Sequence, residues 1–403
     1  MKAKRTFFAL LLVTTLALLA GCGNTPMHAK IVDVATGDYH AMAITEDRDL
    51  YVWGSNYQGE LGIKQDFPYG SADKLIVSCV PKPTLILHDI QYACASRMST
   101  VVLDKNGELY AMGMAMDDIR PDEDRYHPRK LASNIKRAAV CKLCTMAVTT
   151  DGNLLAWGDT IAGQLNYLEN EKGAGPVSNI KLMSGVKNIA LGDNHALALM
   201  ENGDVYAWGW KGFGQIGNGT TAEREEEYKL YPPVKVLSGV KCIAATYNVS
   251  AALTENGDLY VWGYILTKQK TNGEDDDSLP YSTLTPTKIM EHIKSISLSM
   301  NHYAAVTESG DLYLWGMNDC GQLCNGLISG RNQPEPVLAA RGVRKATAGL
   351  DFTIILKEDG RVYTCGGNDM GQLGNGSCGD RDFGGKTNSF TIFPQLIFDG
   401  KDI

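Results

Sequence analysis

The stretch Gly192–Gly219, GDNHALALMENGDVYAWGWKGFGQIGNG, decides the fold. Its segment LALME is a short strand, and Asn202-Gly203 supplies the positive backbone angles of a tight two-residue hairpin. DVYAWG then follows as a second strand rich in β-formers. Both runs are too short for helices and carry apolar residues on both faces, the pattern of a sheet packed against a neighbour on each side.

Outward from this stretch the pattern recurs. DLYVWG stands at 49–54, ELYAMG at 108–113, NLLAWG at 153–158, DVYAWG at 204–209, DLYVWG at 258–263, DLYLWG at 311–316 and RVYTCG at 361–366. The closing glycines run from Gly54 to Gly366, so six intervals cover 312 residues at a mean period of 52, within the range of propellers and solenoids. Turn pairs precede the copies: Asn106-Gly107, Asp151-Gly152, Asn202-Gly203, Asn256-Gly257, Ser309-Gly310 and Asp359-Gly360, with Asp47-Arg48 lacking the glycine. The expected fold is all-β, a seven-bladed β-propeller over residues 31–403. Later units open with a Pro-led strand such as PVKVLSGV, whereas the N-terminus enters at IVDVATG without one. Pro394-Gln395-Leu396-Ile397-Phe398 supplies the missing strand at the other end, so the C-terminal strand is expected to pair with the N-terminal unit and close the ring.

The Tyr-x-Trp-Gly strand followed by Gly-Gln-Leu-Gly, as at Gly371–Gly374 and as GELG from Gly59, resembles the repeat of the regulator of chromosome condensation family. The resemblance covers 31–403 and implies a seven-bladed propeller. Met112 and Cys365 replace Trp in units two and seven, and units two and five have divergent loops in place of GQLG. The family's eukaryotic founder is a nuclear nucleotide-exchange factor, an activity that fold alone does not transfer. In layout the chain is also similar to the propeller-type β-lactamase inhibitory proteins, although no motif carries inhibitor residues over.

Residues 1–21 read as a lipoprotein signal peptide. Lys2, Lys4 and Arg5 precede the apolar run Phe7–Leu19, which is too short to span a bilayer, and Leu19-Ala20-Gly21-Cys22 resembles a lipobox. That resemblance implies lipid on Cys22, a tether over 22–30 and a place in the cell envelope outside the cytoplasm. The anchor would lie in the outer membrane of a diderm cell or the outer leaflet of a monoderm one. Removing the leader takes the net charge from -8 to -11, which argues against nucleic acid as a partner. Membrane attachment would be through the lipid alone.

No HExxH, GxSxG or phosphate-cradling GxxxxGK occurs, and no cofactor or metal is expected. The SxxK match at Ser71–Lys74 and the acidic runs at 117–124 and 274–277 read as solvated insertions. His40, His195 and His302 share one repeat position that elsewhere holds Ser99, Cys144, Val249 and Phe352, so packing is the expected role. Cys141-Lys142-Leu143-Cys144 falls on that same strand end rather than at a helix N-terminus, which favours a structural thiol pair or local disulfide over redox catalysis. Cys320 and Cys324 are the next expected pair. With Cys22 lipidated, nine cysteines remain, an odd number.

What varies between units points to binding. Long insertions follow the Tyr-x-Trp-Gly strand at 64–80, 114–130, 220–232, 266–283 and 377–391, and should gather on one face. Phe67, Tyr69, Tyr126, Trp210, Tyr228, Tyr231, Tyr281 and Phe383 are the candidate partner anchors there. The expected function is non-enzymatic binding of an envelope or secreted protein, inhibition included. The alternative is a glycan lyase or hydrolase using the funnel of the ring.

Overall fold

The computed structural model describes residues 25–64, 78–114, 126–141, 144–158, 177–221, 231–265, 281–379 and 389–401. Seven four-stranded antiparallel sheets follow one another along the chain. The blades cover residues 31–87, 90–132, 135–183, 186–237, 240–290, 293–340 and 343–399. In each blade the first strand lies innermost, and the seven first strands pack side by side around the axis.

The second and third strands of a blade form its buried middle. In blade 1, His40–Thr45 and Leu50–Ser55 are buried throughout, because a blade inside a ring has no solvent face. The seven apolar clusters lie between neighbouring blades: Trp208 of blade 4 packs among blade 3 residues, and Trp53 of blade 1 packs with Phe352 and Phe398 of blade 7.

Two repeated contacts explain why the motif repeats. At the turn between second and third strands, a residue with positive φ offers its carbonyl to the first residue of the next blade. Gly203 accepts from Val240 at 3.0 Å, and Arg48, with φ 69°, accepts from Ile90 at 2.9 Å in place of the usual glycine. At the opposite end the Trp-Gly glycine is required sterically. Gly54 has φ 102°, and a Cβ there would strike the Tyr39 carbonyl.

Where a GQLG-type loop is present among the described residues, it locks its blade to the next. Trp262 of blade 5 donates its indole N–H to the Gln215 carbonyl of blade 4 at 2.9 Å, while a Cβ on Gly217 would come within 2.6 Å of that indole. Trp53 of blade 1 makes the same bond to Gln372 of blade 7, with Gly374 beneath it. In the GELG loop of blade 1, Gly62 seats Met112 of blade 2.

The Pro-led strand proves to be the outer, fourth strand of its own blade rather than the opening of the next. The C-terminal strand Phe390–Asp399 therefore completes blade 7, and it also pairs with the N-terminal segment through a parallel bridge, Met27 to Phe398. Met27 donates to the Ile397 carbonyl at 2.9 Å and accepts from Asp399 at 3.1 Å. Ile31 bonds to Gly360 across the same seam, and a disulfide joins Cys79 of blade 1 to Cys378 in the loop of blade 7.

Cys324 does not pair with Cys320; it is bonded to Cys365, at a Cα separation of 5.7 Å. The reason lies in the lock. Cys324 takes the last glycine position of blade 6's loop and Cys365 takes the tryptophan position of blade 7, so the two departures meet across one seam. Blade 7 is thus disulfide-bonded to both neighbours. No helix among the described residues is long and apolar enough to cross a membrane.

Candidate functional site

The turn between first and second strands places one residue of each described turn at the axis. In order these are Asp38, Arg97, Asp193, Tyr247, Met300 and Leu350; the equivalent position of blade 3, Lys142, lies outside the described residues. The position before it is small in every unit, while this one varies in charge and size. Because third strands run antiparallel to second strands, the ends that bear the insertions, such as Ser55 and Gly209, lie on the same face as these turns. The axial residues therefore form the centre of the insertion face.

Four of them are joined across the axis. The Tyr247 hydroxyl donates to Asp38 Oδ2 at 2.9 Å, linking blades 5 and 1. Arg97 Nη2 donates to Asp193 Oδ2 at 2.7 Å, linking blades 2 and 4, and the Arg97 guanidinium lies over the Tyr247 ring at 4.6 Å. Arg97 and Tyr247 both have positive φ, 45° and 42°, so the turns themselves aim the two side chains. Backbone bonds brace the ring: Asp193 donates to the Tyr247 carbonyl and Leu350 to the Asp38 carbonyl, both at 2.9 Å.

Burial pushes the Asp38 carboxyl up to about 6, against the Tyr247 hydrogen bond and the Arg97 charge, which favour the anion. Tyr247 is raised by its own burial and by the Asp38 charge. Arg97 and Asp193 keep 30% and 18% of their side-chain surface exposed, so the mouth is reachable from solvent. It offers a carboxyl that titrates near neutrality, an ion pair and an aromatic hydroxyl on one arc, and the apolar Met300 and Leu350 on the other. Met300 is largely exposed.

The repeat histidines sit beneath the mouth as structural donors. His195 Nε2 lies 2.8 Å from the Ser250 hydroxyl of the next blade, and that hydroxyl donates to the Gln215 carbonyl that also receives Trp262. His302 repeats the arrangement with Thr353 and Gln322, and His40 bonds Thr100. All three are fully buried, and burial pushes each down to about 3, so they are neutral. The Cys141 and Cys144 sulfurs lie 2.9 Å apart as a buried pair, with no disulfide between them. Among the described residues no three His, Cys, Asp or Glu are grouped to hold a metal.

Of the aromatic anchors, Trp210 is half-buried and packs edge-on against Phe213, which in turn meets Tyr264 at 5.0 Å. Tyr126 reaches the Tyr57 carbonyl at 3.5 Å. The backbones of Tyr231 and Tyr281 open outer strands, opposite Gly209 and Ile265 on the insertion face. Cys22, Phe67, Tyr69, Tyr228 and Phe383 lie outside the described residues. The axial quartet Asp38, Arg97, Asp193 and Tyr247 was absent from the sequence-based candidates. Its signal is a single column, the residue two before the repeat histidine and its equivalents in the other units, which runs D, R, K, D, Y, M, L after a residue that is small in every unit.

These features define a closed ring of RCC1-type blades with a variable axial mouth. The chain belongs to the RCC1-like domain family, whose model matches residues 23–282 and 122–400. It is 27% identical over 326 residues to the ultraviolet-B receptor UVR8 of Arabidopsis thaliana, covering 76% of this chain and 69% of that protein. It is 26% identical over 351 residues to the guanine nucleotide exchange factor SRM1 of Saccharomyces cerevisiae, covering 72% and 70%. Among solved structures it resembles S. cerevisiae Prp20p, a protein that binds Gsp1p and histones, with a TM-score of 0.66 at 20% identity over 92% of this chain and 87% of that one. Yeast RCC1 (Prp20) with Kap60 bound gives the same TM-score at 19% identity, over 98% of this chain and 91% of that one.

Proposed function

We propose that this protein is a non-enzymatic binding propeller, lipid-anchored outside the cytoplasm, that receives a protein partner on its insertion face. The observation that carries the reading is the contrast at that face. A scaffold fixed by repeated locks presents a variable axial column, joined across the ring by Tyr247–Asp38 and Arg97–Asp193 and encircled by the insertion-bearing strand ends. Related propellers that bind proteins, Prp20p among them, support a protein rather than a small ligand. Inhibition of a secreted enzyme is a special case of this role. The resemblance of Leu19-Ala20-Gly21-Cys22 to a lipobox supports export, and two disulfides favour an oxidising compartment.

Affinity capture from envelope and secreted fractions tests this, with three baits: the mature chain, a form with the five insertions shortened, and Arg97→Ala/Tyr247→Ala. A protein retained by the mature chain and lost from both variants is the expected result. Recovery of the same species by all three removes the insertion face as the binding surface.

One observation favours a second reading, a glycan lyase or hydrolase. Asp38, raised to about 6 beside Tyr247 and Arg97 in an open mouth, has the tuning of a general acid or base. Turnover of an envelope glycan that is abolished by Asp38→Asn would establish it, and the same turnover in that variant would dismiss it.

A further inference from the structure

The exposed apolar side chains of the described residues are unevenly placed. Leu327 (63% exposed), Ile328 (48%), Phe390 (41%) and Phe393 (54%) all lie at blades 6 and 7 on the outer margin of the insertion face, with Phe390 opposite Gly367 and Ser329 opposite Asn318. They are neighbours: the Phe393 ring lies against Gly326, and Gly326 donates to the Ile392 carbonyl at 3.1 Å, so the turn leading to Leu327 and Ile328 abuts the outer strand of blade 7. That strand runs FTIFPQLIF over 390–398 with no ionisable residue. An uncharged outer strand with exposed aromatics is a feature that water-facing sheets avoid, because it invites association.

The N-terminal segment joins the same strand. Met27 bridges Phe398 on the strand's outer edge. Cys22 lies five residues earlier, a reach of at most about 18 Å. Phe393 lies five residues back from Phe398, about 17 Å along that edge. A lipid on Cys22 is therefore held within reach of the apolar rim.

We propose that the rim formed by Leu327, Ile328, Phe390 and Phe393 rests in the interfacial layer of the bilayer that holds the acyl chains, so that the propeller meets the membrane at the outer margin of blades 6 and 7. This rests on the lipid-anchor reading of Cys22. Aromatic rings suit that layer, and an acyl anchor combined with a second apolar contact holds a protein more firmly than either alone.

The test uses the full lipidated chain in phosphatidylethanolamine/phosphatidylglycerol vesicles, with and without brominated acyl chains. Phe393→Trp places an indole on this margin, and Tyr57→Trp places one on the exposed loop of blade 1. Bromolipid quenching of the added emission in Phe393→Trp, without quenching in Tyr57→Trp, is the expected result. Equal quenching in both, or in neither, overturns the proposal. A dimer in detergent that Phe393→Ser dissolves, with no quenching, would mean that a second copy covers the rim instead. Incorporation of labelled palmitate, lost in Cys22→Ala, is measured on the same preparation. Its absence from the wild-type chain would remove the anchor and this proposal with it, whereas label without quenching would remove the rim contact alone.

Discussion

His195 shows what a buried residue can do when it carries no charge. With the Ser250 hydroxyl donating to the Gln215 carbonyl, the Nε2 of His195 must be the donor to Ser250, which fixes the neutral tautomer. Protonation would place a cation in a fully buried site, where the cost of burial outweighs the help of the Tyr247 carbonyl. Its pKa is depressed in the folded state, so the unfolded chain binds the proton more readily and stability is lost as pH falls from about 6.5 towards 3. Each of His40, His195 and His302 should contribute a slope of about 1.4 kcal/mol per pH unit across that window. Urea midpoints measured between pH 7 and 4 should fall steeply, and His195→Gln should flatten the curve by about one residue's share. The structural role of these histidines was legible in the sequence, because a position that also accepts Val249 and Phe352 is not built for chemistry. Their acceptors were not legible, since Thr100, Ser250 and Thr353 belong to the next blade and lie 51 to 60 residues away.

At the scale of the blade, the telling element is the loop that follows the third strand. Where it reads GQLG, an indole and a glycine meet across the seam; where it reads GQLC, a disulfide joins the same two positions. Cys365→Ser should destabilise the protein by roughly 2–4 kcal/mol, as the loss of a native disulfide does. The double change Cys324→Gly/Cys365→Trp rebuilds the lock used elsewhere and should recover about 1–2 kcal/mol of that, from the buried indole and its hydrogen bond. Thermal unfolding of the wild type and the two variants checks both. Cys365→Trp alone should fare worse than the serine variant, because Cys324 would occupy the seat of the ring. The strands and their count were readable from the seven copies, but the Cys324–Cys365 bond was not, because a single unit contains only one half of the contact. Aligning consecutive units with an offset, loop against following strand, would have exposed it.

For the whole ring, closure rests on one heavily stitched seam. Between blades 7 and 1 lie the Met27 bridge, the Ile31–Gly360 bond, the Trp53–Gln372 lock and the Cys79–Cys378 disulfide. That disulfide closes a loop of 299 residues, so Cys378→Ser should cost roughly 3–5 kcal/mol and expose the first strand to protease. Limited proteolysis with and without reductant measures it. The loops of blades 2 and 5 lack GQLG, and Trp315 of blade 6 has no partner for its buried indole nitrogen among the described residues.

The 2/3 and 5/6 seams, where the loop sequence departs from GQLG, divide the ring into a pair of jaws, one built of blades 3 to 5 and the other of blades 6, 7, 1 and 2. Tyr247–Asp38 and Arg97–Asp193 each reach from one jaw to the other, so the axial quartet is the clasp between them. The clasp is under proton control. The raised Asp38 pKa means that its contribution is fully present at low pH and is lost as pH climbs through about 6, so Asp38→Asn should stabilise the neutral protein by up to about 3 kcal/mol. Hydrogen exchange at the 2/3 and 5/6 seams should slow in that variant at pH 7. A partner entering the mouth at neutral pH would therefore meet a clasp already strained by its own buried charge, and could draw the jaws together by adding positive charge beside Asp38 to that of Arg97.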